Sequence, residues 1–154
     1  MFVIPVLVDI GASWKTLPPG VHDASPEEVR EIFAINLRRK ALFKGLIRAC
    51  KSLKSAGCTV IYLDGSYVTE KSIPGDYDVC WDPTNVDLSK LDPIFLDLRN
   101  GRASQKSKYG GEFFPSSIKA DGSNNFVEYF QVDKETGMEK GIIRIHLSHG
   151  KARH

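Results

Sequence analysis

The segment "CTVIYLDGSYVTEKSIPGDYDVCWD", Cys58 to Asp82, constrains the fold more than any other part of the chain. "CTVIYL" and "YDVCW" are rich in β-branched and aromatic residues and read as strands. The first stops at Gly65-Ser66, and a short polar link bearing Gly and Pro leads to the second. In a strand, residues two apart share a face. Asp76 and Asp78 are therefore expected side by side, with Tyr77 and Val79 turned the other way into packing.

The flanking sequence supplies helices. Ser25 reads as an N-cap with Pro26 at the first helical position and Glu28 closing a capping box, for a short helix reaching about Phe33. Asn36 is a second N-cap, opening "LRRKALFKGLIRACKSLKSAG". Leu42, Leu46, Cys50 and Leu53 recur there at helical spacing, and Gly57 stops the helix. "LPPG" reads as a turn. "DPIFLDLRNG" carries helix punctuation at Asp92-Pro93 and Gly101. "EFFPSSI" reads as a strand that Pro115 confines to an edge or ends early. "SNNFVEYFQ" reads as a short helix and "KGIIRIHL" as a closing strand. The expected class is α/β in order, or α+β: one domain over residues 1–154, with a mixed β-sheet packed on helices.

With 154 residues, 42% of them hydrophobic, the chain can build its own core. A net charge of +2 does not by itself mark a nucleic-acid binder. The opening "MFVIPVLVDI" lacks a basic leader and is broken by Pro5 and Asp9. It suits a strand or leading arm better than a signal peptide or a membrane span, so no membrane partner is expected. Cys50, Cys58 and Cys80 read as reduced, mostly buried thiols of a cytoplasmic protein.

Adjacent carboxylates repel unless something neutralises them. A hard dication such as Mg²⁺ does so best, and takes one or two carboxylates together with substrate phosphates. Gly65 permits close backbone approach, and Ser66 offers a hydroxyl and an N–H to phosphate oxygens. The combination describes a site for a metal-bound nucleoside triphosphate. A Ca²⁺ loop is disfavoured because the residues after Asp76 lack its glycine and terminal glutamate. Lys71, between the turn and the acids, could reach the phosphates. The basic stretch with Arg99, Arg102, Lys106 and Lys108 reads first as a solvated face. In its functional version these cations meet the triphosphate or an RNA backbone. Trp81 reads as core. His22, His146, His149 and His154 show no ligand spacing.

"GSYVTEKSIPGDYDVCWD" resembles the Gly-Ser…Asp-x-Asp signature of the minimal nucleotidyltransferases of the DNA polymerase β superfamily. "LPPGVHDAS", "KYGGEFFP", "FVEYFQ" and "KGIIRI" look similar to a group of small prokaryotic and phage proteins with that core. The resemblance implies a polymerase-β-like core and transfer of a nucleoside monophosphate from ATP or another triphosphate to a hydroxyl. The acceptor would be an RNA end or a protein, in a toxin–antitoxin or phage-defence setting. It also implies two Mg²⁺ ions, replaceable by Mn²⁺, on Asp76, Asp78 and a third carboxylate from a later strand. Gly65 and Ser66 would hold the β- and γ-phosphates, with Lys71, Lys106 and Lys108 as further nucleotide contacts. Glu112, opening "EFFPSSI", is the candidate third ligand, with Asp97 and Glu128 as runners-up. Two alternatives stand beside this reading. One is a catalytically inactive module of the same fold that binds nucleotide, RNA or a protein. The other is a component that docks a protein partner through the helical face from Phe33 to Leu53.

Overall fold

Two capped helices and a hydrophobic strand pattern organise the molecule, seen here in a computed structural model that describes residues 2–147. In chain order come β1 (Gly20–Asp23), α1 (Pro26–Phe33), α2 (Leu37–Ser55), β2 (Val60–Asp64), β3 (Tyr77–Trp81), α3 (Arg99–Tyr109), β4 (Gly111–Pro115), α4 (Phe126–Tyr129) and β5 (Gly141–His146). The Ser25–Glu28 capping box and the Asn36 cap, which accepts from the Arg39 N–H, start α1 and α2 as their sequences predict. Gly57 follows α2 at φ 107°, a conformation that glycine adopts without steric cost.

The five strands form one mixed sheet in the order β1-β5-β2-β3-β4. β2 runs antiparallel to both β3 and β5, while β1 pairs parallel with β5 and β4 parallel with β3. Alternation along the strands separates two apolar layers. Ile61, Leu63, Tyr77, Val79, Trp81, Phe113, Ile143 and Ile145 pack with α1 and α2 in the main core. Cys80, Phe114 and Ile142 point to the other face, where Phe130 and partly buried Phe126, Val127 and Tyr129 of the α4 region cover them. The first layer holds Leu42, Leu46, Cys50 and Leu53 of α2, as their spacing predicts. Trp81 is core, with its indole N–H buried and unpartnered among the described residues. Cys50, Cys58 and Cys80 are all buried and unpaired.

Two sequence expectations need correction. β1 begins on the glycine of "LPPG", Gly20; its four residues carry little strand signal and owe their conformation to pairing with β5. Gly101 does not end a helix. Pro93–Leu96 is a 3₁₀ turn capped by Asp92, and α3 then begins in a segment too polar to show a buried stripe. Asn100, Gly101 and Arg102 all sit at left-handed φ, 53°, 63° and 62°. For a residue with a side chain that conformation costs about 1–2 kcal/mol. Of the two forms expected for the opening residues, strand or leading arm, the structure has the arm, tied down by a bridge between Val8 and Thr16.

Candidate functional site

The register of three neighbouring strands sets the site. Asp64 of β2 lies opposite Asp78 of β3, and Asp78 lies opposite Glu112 of β4. One row of carboxylates therefore crosses the end of the sheet, with Tyr62, Cys80 and Phe114 forming the row beneath it on the same face. Asp76 directly precedes β3 and is half-buried, like Asp78, while Tyr77 between them is buried in the main core. The Asp76 charge reaches Asp78, and Glu112 is the register neighbour of Asp78.

Lysines neutralise the ends of this row. Lys140 Nζ lies 2.6 Å from Asp64 Oδ1, with both side chains largely buried, and Lys106 Nζ lies 3.0 Å from Glu112 Oε2. Asp76 and Asp78 have no ion-pair partner among the described residues. Burial, then the charges of Asp64, Asp76 and Glu112, push the Asp78 carboxyl up from 3.8 to about 7. Burial and the Glu112 charge raise Asp76 as well. Burial also raises Asp64, against the pull of Lys140.

Gly65 packs directly against this charge. A Cβ placed on it would stand 3.1 Å from Asp78 Oδ2 and 3.2 Å from Asp78 N, and its φ of 90° with ψ of −174° is open essentially only to glycine. Ser66 opens a 3₁₀ turn, Ser66–Val68. The link that follows is held from outside by the first turn of α2. The Arg39 guanidinium, almost wholly buried, donates to the carbonyls of Tyr67 (2.6 Å), Thr69 (2.8 Å), Lys71 (2.6 Å) and Phe33 (3.1 Å). Arg38 donates to the Pro74 and Gly75 carbonyls, and Asn36 Nδ2 to Ser72 O at 2.9 Å. Among the described residues Arg39 has no carboxylate partner, and carbonyl dipoles balance its charge.

Two cavities meet at Asp78. The first, about 240 Å³, is lined by Asp64, Gly65, Ser66, Asp78, Lys134 and Lys140, with Trp14 and Thr16 in its wall. The Thr16 hydroxyl in that wall is buried and has no hydrogen-bond partner among the described residues. The second, about 320 Å³, shares Asp78, Phe130 and Lys134, and adds Glu112 and Arg102 over an aromatic floor. Ser66, Asp64, Asp78 and Glu112 thus line two adjoining cavities that share Asp78, while Asp76 lines neither.

Other expected residues are placed less directly. The Lys71 charge reaches Asp76, while its carbonyl is bound by Arg39. Lys108 is two residues from Lys106, so it points to the far side of α3, where it pairs with Asp92 at 2.6 Å. Lys108 is thus not brought to the carboxylate row. Asp97 is partly buried and bound to the exposed Arg99, and Glu128 closes the capping box of α4; both runners-up have structural duties. His22 contacts the Pro18 carbonyl and His146 contacts Asp23, while His149 and His154 lie outside the described residues. Sequence reasoning missed Asp64, Lys134, Lys140, Thr16 and Arg39. Asp64 was legible in principle, as the last residue of β2 on the face opposite Leu63.

Among the described residues no three His, Cys, Asp or Glu side chains are gathered as a metal-binding group. The donor chemistry nevertheless suits a hard dication: carboxylate oxygens only, two of them without a counter-ion, and a raised acid between them. No helix among the described residues is long and apolar enough to cross a membrane.

Fold and site together define an α+β protein whose mixed sheet carries a row of carboxylates against a Gly-Ser turn. Within that class the chain belongs to a protein family of unknown function, DUF6932, which it matches over residues 11–146. No curated protein and no solved structure matches it.

Proposed function

We propose that this protein is a metal-dependent nucleotidyltransferase with a polymerase-β-like core, moving a nucleoside monophosphate from a triphosphate to a hydroxyl. The observation that carries the reading is the placement of Gly65 so close to Asp78 that a Cβ there would crowd its carboxylate, with Glu112 as the next member of the row. A phosphate chain on the Ser66 N–H and hydroxyl would lie beside Asp78 in the first cavity, with Lys134 and Lys140 on its walls. Asp76, Asp78 and Glu112 would hold the metal. When bound, Mg²⁺ would stabilise charge on the attacking and leaving oxygens. In the transfer, the acceptor oxygen bonds to the α-phosphorus as the bond from that phosphorus to the β-phosphate bridging oxygen breaks. Pyrophosphate leaves, and the hydroxyl proton passes to a carboxylate, with Glu112 as its acceptor. Unpaired thiols and a triphosphate substrate both suit the cytoplasm.

One observation favours a second reading. Lys106 is already seated on Glu112, and this arrangement suits a module that binds nucleotide, RNA or a protein partner without turnover.

The deciding experiment incubates the protein with each α-labelled triphosphate, Mg²⁺ and total cell RNA or lysate. Label transferred to a macromolecule, and lost in Asp76→Asn, supports the transferase. Absence of label with every triphosphate, together with triphosphate-dependent thermal stabilisation, leaves the binding module. Absence of both removes the nucleotide from either reading.

A further inference from the structure

The second cavity lies across Asp78 from the Gly-Ser turn; it shares Lys134 with the first cavity and adds Arg102, a cation the first lacks. Arg102 places its guanidinium carbon 4.0 Å over the Phe114 ring, and among the described residues its side chain's only hydrogen bond is a 3.3 Å contact from Nε to the Phe113 carbonyl. It has no acidic partner among the described residues, although Glu112 lines the same cavity. Stacking on a ring fixes the guanidinium plane and leaves its outer N–H groups to solvent and ligand. The backbone holds Arg102 there at φ 62°, in a left-handed turn that a relaxed helix start would avoid. Lys134 Nζ lies 5.2 Å from the Tyr129 ring centre on the opposite wall, where Tyr129 and Phe126 are only partly buried. Two cations without acidic partners among the described residues, one stacked on the buried Phe114 ring and one beside the partly buried Tyr129, with Phe126 also partly buried, form the combination that binds single-stranded nucleic acid, with phosphates on the cations and bases on the partly open rings.

We infer that this cavity receives the single-stranded end of a polynucleotide, with Arg102 and Lys134 on its phosphates and Tyr129 or Phe126 against a base. The polynucleotide's role as acceptor rests on the transferase reading; the binding does not. In that role the terminal hydroxyl would approach Asp78 from the Glu112 side, opposite the triphosphate.

The test is fluorescence anisotropy with labelled single-stranded RNA and DNA oligonucleotides, a duplex control, and the full chain. Arg102→Gly is the informative variant, because glycine accepts the left-handed backbone at no steric cost. Its melting temperature should equal or exceed that of the parent, so a loss of binding cannot be charged to unfolding. The expected result is single-strand binding weakened about tenfold or more by Arg102→Gly and by Tyr129→Ala, with a shallower salt dependence in Arg102→Gly. Triphosphate-induced thermal stabilisation should remain in both variants. Single-strand binding that depends on Arg102 without any label transfer would uphold this site and remove the transferase. Label transfer to a protein hydroxyl, with Arg102→Gly fully active, would overturn this site and leave the transferase. Oligonucleotide binding indifferent to Arg102 and Tyr129 would also overturn it.

Discussion

At Asp78 the fold holds a carboxylate against its own electrostatics, so Asp78→Asn should make the ligand-free protein more stable. The carboxyl titrates at about 7 in the fold against 3.8 as a free group, because burial and the Asp64, Asp76 and Glu112 charges oppose ionisation. Between those values the native state holds a proton that the unfolded chain has released, so stability falls as pH rises through this window. The loss is absent below 3.8 and complete above about 7. At 1.36 kcal/mol per unit, roughly three units amount to about 4 kcal/mol at pH 8 and about 1.6 kcal/mol at pH 5. Asparagine removes the ionisation but leaves an amide to be satisfied, so the realised gain at pH 8 should be about 2–4 kcal/mol. Urea titrations in EDTA at both pH values would measure it. The stabilisation should be larger at pH 8 by about 2 kcal/mol, a midpoint difference of about 1 M. An effect equal at both pH values, or a variant destabilised mainly at pH 8, would refute the charge-repulsion account of this site.

Further expectations concern the frame and the site together. Gly45→Ala, which in an ordinary helix gains about 1 kcal/mol, should here cost more than about 2 kcal/mol in chemical denaturation. The new Cβ would stand 1.9 Å from the Tyr109 carbonyl oxygen, and backbone cannot step aside cheaply. Arg39→Met should leave the carbonyls of Tyr67, Thr69 and Lys71 without their donor and cost about 3 kcal/mol or more, read as a lower melting temperature. A loss below about 1 kcal/mol would show that the link is held by other means. Trp14 lines the first cavity, 46% exposed, while Trp81 is buried. Triphosphate with Mg²⁺ should therefore change the intrinsic fluorescence of the parent and not of Trp14→Phe; an unchanged parent spectrum at saturating ligand would count against a triphosphate in that cavity. Glu112→Gln should lower turnover by ~10²–10⁴-fold with a much smaller loss of triphosphate binding, whereas Asp78→Asn should damage both. Parent-like turnover in Glu112→Gln would leave Glu112 as a partner of Lys106 alone.

The elements that were legible in the sequence are those whose local chemistry agrees with their tertiary setting. Ser25-Pro26-Glu28 and Asn36 fix helix starts through backbone donors within three residues, so no distant contact is needed to read them. β3 and β5 alternate cleanly because each faces two different apolar layers. β1 was not legible because its pairing with β5 spans more than a hundred residues. α3 was hidden because much of it is polar and its left-handed opening mimics a glycine stop. At the site, Asp76, Asp78 and Glu112 could be proposed from spacing and resemblance. Their arrangement needed the strand order, which alone puts Asp64 beside Asp78 and Glu112 beyond it. Nothing local in "LRRKAL" marks Arg38 and Arg39 for a particular duty, and their hold on the link appears only with α2 packed against it.

The charge balance of the cleft bears on why the carboxylates are not gathered for a metal as they stand. Four acids lie near one another, Asp64, Asp76, Asp78 and Glu112, since the charge of each of the other three raises Asp78, although Asp76 lines neither cavity. Lys140 takes Asp64 and Lys106 takes Glu112, leaving Asp76 and Asp78 without a counter-ion. The Lys140–Asp64 pair is largely buried, and breaking it would strand a charge at a cost of several kcal/mol, so Asp64 is best read as a fixed part of the scaffold. The Lys106–Glu112 pair is different. Lys106 is exposed, and such pairs are worth at most about 1 kcal/mol, so a dication on Asp76 and Asp78 could draw Glu112 away at little cost. Lys106, released toward the cleft mouth, would then be free for phosphate. The Glu112 side chain, one methylene longer than aspartate, is what allows it to serve either partner from the same backbone position. On this account the exposed pair is a resting neutralisation of the row, and the difference between a binding module and a transferase lies in whether Glu112 leaves Lys106 when the ligand arrives.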